Sequence, residues 1–188
     1  MSVTDGSRSR LVTATALRTA QILEALKGLD EEALLAPSEL PEWSRLTIAC
    51  HLRYGAEALC RMTEAALSGD PAAYYPEERD RQRPRTLVPR PGESNLAVVA
   101  SLAHRSEELT RLWSSDEVLW DLAVVEPPDK PDLGTVDLGR LLMLRLTEVG
   151  PRVGSRTGLA RLERPVCPRS TANAPGLAQY PANEPSCL

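Results

Sequence analysis

Four stretches of the chain repeat apolar residues at helical spacing, and proline-containing segments separate them. The first runs from about Arg8 to Leu29, with Leu11, Ala14, Leu17, Ile22, Leu26 and Leu29 on one stripe and Gly28 and Asp30 marking its end. The second runs from Arg45 to Leu67 on Leu52, Ala56, Leu59, Thr63 and Ala66, and Ser44 is placed to cap its free amides. A third, about Glu93 to Trp113, carries Leu96, Val99, Ala103, Leu109 and Trp113; a fourth, Val136 to Val149, carries Leu138, Leu141, Leu142, Leu146 and Val149. Each stripe has to bury itself against another, so the expected fold is all-α, a four-helix bundle. Phe is absent, which leaves Leu, Ala, Val and three Trp to build the core, and that composition favours packed helices over strands.

The segments between the stripes read as connections. "DEEALLAPSELPEWS" is short and interrupted by proline, "GDPAAYYPEERDRQRPRTLVPRPGES" is a long crossover loop, "DEVLWDLAVV" adds a short turn or strand, and "EPPDKPDLGT" is again a loop. After Val149 the pattern breaks at Gly150-Pro151, and Pro, Gly and Arg recur without apolar periodicity. A bundle over residues 8–149 followed by a disordered Pro/Arg-rich tail over 150–188 is therefore expected, because such a tail cannot bury enough surface to offset its ordering entropy.

The formal charge of -4 provides no basic field to gather nucleic acid. The N-terminus lacks the apolar core of a signal peptide and no run is long enough to span a bilayer, so a soluble, cytoplasmic protein is expected. Cys50, Cys60, Cys167 and Cys187 have no metal-binding or disulfide spacing; the first two read as small core residues and the other two as tail thiols.

Two side chains stand out as carriers of chemistry. His51 lies in the first turns of the second helix among Gly55, Ala58 and Met62, and points to the bundle interior or its rim, where a histidine taken alone is more often a hydrogen-bonded structural residue than a ligand. Glu148 falls on the side of the fourth helix that carries Leu141 and Leu144, where a carboxylate is costly unless paired or bound to a cation. A histidine and a glutamate turned inward from two bundle helices are plausible zinc donors, although a catalytic zinc generally takes three protein ligands. His104, beside Glu107 and Glu108, is expected to face water. Arg79, Arg81, Arg83 and Arg85 read as a solvated loop face, Tyr74 and Tyr75 as packing at the bundle mouth, and Trp43 as an anchor for the loop before the second helix.

The stretches "LPEWSRLTIACHLRYGAEAL", "LSGDPAAYYP" and "TVDLGRLLMLRLTEV" resemble the mycothiol-dependent maleylpyruvate isomerase family, whose metal-binding N-terminal domain belongs to the DinB-like four-helix bundles. The resemblance covers about residues 8–149 and implies a zinc, or another divalent metal, with mycothiol as thiol cosubstrate and a small electrophile such as maleylpyruvate as substrate. It implies a ligand set of a histidine on the second helix, a glutamate on the fourth and a histidine four residues later. The first two fall on His51 and Glu148. In such a site the metal lowers the pKa of the bound thiol; an isomerase adds the thiolate to a double bond, allows rotation and eliminates it, whereas a transferase releases the adduct.

The third position is Arg152, which has no lone pair to give. Codons allowed for "GPRVGSRTG", read one base later, encode Val-His-Gly-Ser-Asp-Leu-Gly-Leu, which puts a histidine after Val149 and suggests a frameshift near codon 150 as the origin of the tail, the alternative being a genuine lineage-specific Pro/Arg-rich extension. The alternative to an enzyme is a non-catalytic helical bundle, a truncated relative with an incomplete metal site. A DinB relative of another activity is a third reading.

Overall fold

The structure of the protein, a computed structural model, describes residues 5–115, 118, 120–125 and 135–150. In chain order its elements are α1 (Asp5–Lys27), α2 (Glu31–Leu35), α3 (Arg45–Leu67), α4 (Arg79–Thr86), α5 (Asn95–Trp113), β1 (Ala123–Val125), β2 (Thr135–Asp137) and α6 (Leu138–Val149). The long helices α1, α3, α5 and α6 form the all-α bundle that the four stripes predict: α3 packs chiefly on α5, α1 on α5 and α6, and α6 closes on α3. No helix among the described residues is long and apolar enough to cross a membrane.

Side-chain caps fix where three of the helices begin. Ser44 Oγ accepts from the Thr47 amide at 3.0 Å, Ser94 Oγ from Ala97 at 3.2 Å, and Asp137 Oδ1 from Arg140 at 2.7 Å. Each satisfies one of the amides that a first turn leaves free, typically for about 1 kcal/mol. Asp137 also explains why the fourth helix starts at Leu138 and not at Val136. To cap, Asp137 takes an extended backbone, and Val136 beside it pairs with Val124 in the antiparallel β1–β2 ladder.

Other differences from the sequence reading are local. The first stripe divides at residues 28–30, because Asp30 caps a separate short helix, α2, within the connection. The crossover segment contains the eight-residue α4, whose turns hold arginines and Pro84 and which has no apolar stripe to announce it. Leu17 and Leu96, placed on buried stripes by spacing, are exposed at the edges of their faces, and Leu144 is exposed while Leu141 is buried.

The core has two main parts. One gathers Leu59, Met62, Trp113, Trp120, Val124 and Leu142, with the β hairpin folded onto it. The other gathers Ile22, Leu26, Leu34, Leu52, Val98 and Val149 and holds the end of α6 against α3. Directly after Val149 the helix stops. Gly150 has φ -82° and ψ 155°, an extended conformation of the kind that a following proline imposes by its clash with the preceding residue. The tail after residue 150, with Arg152, Cys167 and Cys187, and the loop over 126–134 lie outside the described residues.

Candidate functional site

His51 is carried on the second turn of α3 and Glu148 on the last turn of α6, so the packing of those two helices decides whether they meet. They do. His51 Nε2 lies 2.7 Å from Glu148 Oε1, and the two side chains are only 22% and 24% exposed. His51 Nδ1 is buried and has no hydrogen-bond partner among the described residues. Trp43, brought over the imidazole by the turn before α3, meets it edge to face with ring centroids 5.3 Å apart. That turn includes Glu42 at φ 66°, a left-handed conformation that a non-glycine residue adopts only under constraint.

A third member was not singled out from the sequence. Arg145, one turn before Glu148 on α6, is 2% exposed; its Nη1 donates to Glu148 Oε2 at 2.6 Å and its Nη2 to the Leu52 carbonyl of α3 at 3.1 Å. A guanidinium so buried is tolerated because its charge is paired and its donors are directed at acceptors. The sequence does contain the signal. Leu138, Leu141, Leu142, Arg145 and Val149 are spaced as one apolar stripe, and an arginine on such a stripe needs a partner inside.

The space for the guanidinium comes from Gly55. A Cβ built there would stand 2.9 Å from Arg145 Nη1, 3.1 Å from the Tyr74 hydroxyl and 3.4 Å from Glu148 Oε2. Glycine in a helix interior costs about 1 kcal/mol relative to alanine, so this close approach supplies its physical reason. Tyr74 belongs to a cluster of tyrosines: its ring lies edge to face with Tyr54 and Tyr75, while Tyr54 Oη donates to the Tyr74 carbonyl at 2.7 Å. Burial, with the Glu148 carboxylate nearby, pushes the Tyr74 phenol well above its usual value, so it stays protonated and available as a donor.

Desolvation acts to raise the Glu148 carboxyl, but the Arg145 guanidinium and the contact with His51 outweigh it and hold the group at about 2. A carboxyl depressed in the folded chain stabilises it fully above the unfolded value of 4.5, and that contribution is lost as pH falls toward 2. Thermal unfolding of the chain and of Glu148→Gln between pH 7 and pH 2 is therefore expected to show a gap that is constant at neutral pH and closes through this acid window. A gap independent of pH would contradict the assignment.

The other candidates divide. His104 faces water on α5, as its neighbours imply. Arg85 pairs with Glu77 at 2.8 Å and Arg83 reaches the Tyr75 hydroxyl at 3.5 Å, so part of the arginine set is engaged by protein groups. Cys50 and Cys60 are buried free thiols, pushed up by burial to about 11 and about 12, and so remain protonated rather than nucleophilic.

An imidazole nitrogen and a carboxylate oxygen converging from two helices match zinc and similar divalent ions in donor type. They make only two donors: among the described residues no group of three or more His, Cys, Asp or Glu side chains is arranged to hold a metal. An ion could enter the pair only by replacing its hydrogen bond, with its remaining positions filled from elsewhere.

Comparison with known proteins adds an independent observation. The sequence matches, over residues 15–149, the family described as the mycothiol maleylpyruvate isomerase N-terminal domain. No curated protein matches it. The crystal structure of the mycothiol-dependent maleylpyruvate isomerase superposes with a TM-score of 0.61 at 24% identity, covering 76% of this chain and 57% of that one. That of a histidine-to-alanine mutant of the isomerase superposes with a TM-score of 0.63 at 22% identity and the same coverage. At such identities the likeness is one of fold, and the aligned region spans little more than half the length of the solved isomerase.

Proposed function

From the premise that the chain belongs to the mycothiol maleylpyruvate isomerase N-terminal domain family, within the DinB-like four-helix bundles, we propose that it serves a mycothiol-using reaction in the cytoplasm. The reaction is an isomerisation or a thiol transfer on a small electrophile such as maleylpyruvate, with His51 and Glu148 as donors to a zinc or another divalent ion. The single observation that carries this reading is the approach of His51 Nε2 to Glu148 Oε1 at 2.7 Å from two different helices. A bound divalent ion supplies the positive charge that favours the thiolate form of a thiol at neutral pH.

The remaining parts of the chemistry belong to the chain itself. Glu148 is kept ionised at any physiological pH by Arg145 and His51, so it offers a lone pair without first losing a proton. Trp43 covers one side of the imidazole, and the protonated Tyr74 hydroxyl lies near the carboxylate. Isomerisation and transfer both need a thiolate and part company only afterwards, so the donor pair supports the class and leaves the choice to the substrate pocket.

A second reading, a non-catalytic bundle with an incomplete metal site, is favoured by the count of two donors among the described residues. Metal content separates the two. The full chain, loaded with zinc and passed through gel filtration, is expected to retain about one zinc per chain, and His51→Ala none. Loss of zinc from the unmodified chain would favour the non-catalytic reading.

A further inference from the structure

Arg145 is the largest fully buried side chain among the described residues, and it hydrogen-bonds both Glu148 and the backbone of α3. It takes one oxygen of the carboxylate, Oε2, and leaves the other, Oε1, directed at His51 Nε2. Its second nitrogen is fixed to the Leu52 carbonyl, the backbone of the residue next to His51, so the fork sets Glu148 against the same turn that carries the imidazole. Gly55 completes the arrangement by absence, since a methyl group there would stand within 2.9 Å of the guanidinium. We propose that Arg145, seated over Gly55, is a positioning residue that turns a single oxygen of Glu148 toward His51 and so aligns the pair for a divalent ion.

This rests on reading His51 and Glu148 as donors, and it adds two residues to that reading. The sign of the effect needs care, because a guanidinium also repels a dication. Removing the charge would mix the two influences; keeping it while disturbing the fork isolates position. Arg145→Lys retains the charge and loses the planar fork, which a single ammonium cannot reproduce. Gly55→Ala retains Arg145 entire and displaces it.

The experiment measures Zn2+ affinity by competition with a chromophoric chelator and the visible spectrum of bound Co2+, on the full chain and on Arg145→Lys, Gly55→Ala and Glu148→Gln. Both charge-keeping variants are expected to lose about 10-fold or more in Zn2+ affinity, the usual consequence of disturbing a group that orients a ligand, and to show an altered Co2+ spectrum. Thermal melts in chelator report the fold separately, and a purely structural role would lower the melting temperature without changing the spectrum of the folded fraction. Should Gly55→Ala not fold, Arg145→Lys reads the same quantity. If the unmodified chain and both variants bind with equal affinity and identical spectra while Glu148→Gln does not bind, the positioning role is wrong and the donor pair stands. If the unmodified chain binds neither ion, the donor pair falls and the positioning role with it.

Discussion

Glu148→Ala is expected to lower the free energy of unfolding by about 3–5 kcal/mol, measured by urea denaturation at neutral pH in the presence of chelator. Most of that loss would come from what is left behind. Arg145, 2% exposed, would keep its charge under the bundle with Leu52 O as its one remaining acceptor among the described partners. Breaking a buried pair from one side is costly because the survivor is uncompensated, whereas removing both partners spares that penalty. The double variant Arg145→Met, Glu148→Leu is accordingly expected to be markedly more stable than Glu148→Ala alone. Glu148→Gln, which keeps a carbonyl oxygen for Nη1, should fall between. A loss below about 1 kcal/mol for Glu148→Ala would place it with exposed ion pairs and contradict the compensation of Arg145 by Glu148.

Trp113→Ala is expected to cost a similar about 3–5 kcal/mol by a different route. The ring, 3% exposed, sits at the end of α5 where the β hairpin closes over the bundle, with its centroid 6.0 Å from that of Trp120. Its Nε1 donates to Thr63 Oγ1 at 3.0 Å, linking α5 to α3. Truncation leaves a cavity beneath the hairpin and removes this bond, although Thr63 Oγ1 keeps its own donation to the Leu59 carbonyl at 2.8 Å. Trp113→Phe, which refills much of the space and loses only the indole donor, should cost less than half as much. Equal losses for the two variants would assign the effect to the hydrogen bond and not to packing.

The long helices were legible because their signals are redundant. For α3 an apolar stripe, a serine cap and flanking breaks agree, and its span, Arg45–Leu67, is the one that the sequence predicts. Where only one signal exists the reading fails: α4 is built of arginines and a proline, and β2 is three residues long, so neither has a period to detect. In the candidate site, His51 is visible as a polar residue on a face that should be apolar, whereas Glu148 lies at the edge of the buried stripe of α6, beside the exposed Leu144. Arg145 obeys the same logic but is easily taken for a solvent residue, because arginine usually is one. Tyr74 could be placed at the bundle mouth, but its approach to Gly55, and the room that Gly55 leaves for Arg145, depend on distances between separate segments of the chain, which no local pattern contains. The break after Val149 was visible as Gly-Pro, and the extended Gly150 gives its cause.

The small space above Gly55 has an evolutionary consequence. Every glycine codon becomes an alanine codon by one base change, and alanine is the better helix former, so selection on the helix alone would welcome the replacement. The same methyl group crowds Arg145 and the Tyr74 hydroxyl beside Glu148. Any lineage that needs this corner ordered must keep rejecting a frequent and locally favourable mutation. A lineage released from that need could accept it while keeping the bundle, and alanine at this position would then be an early mark of lost function.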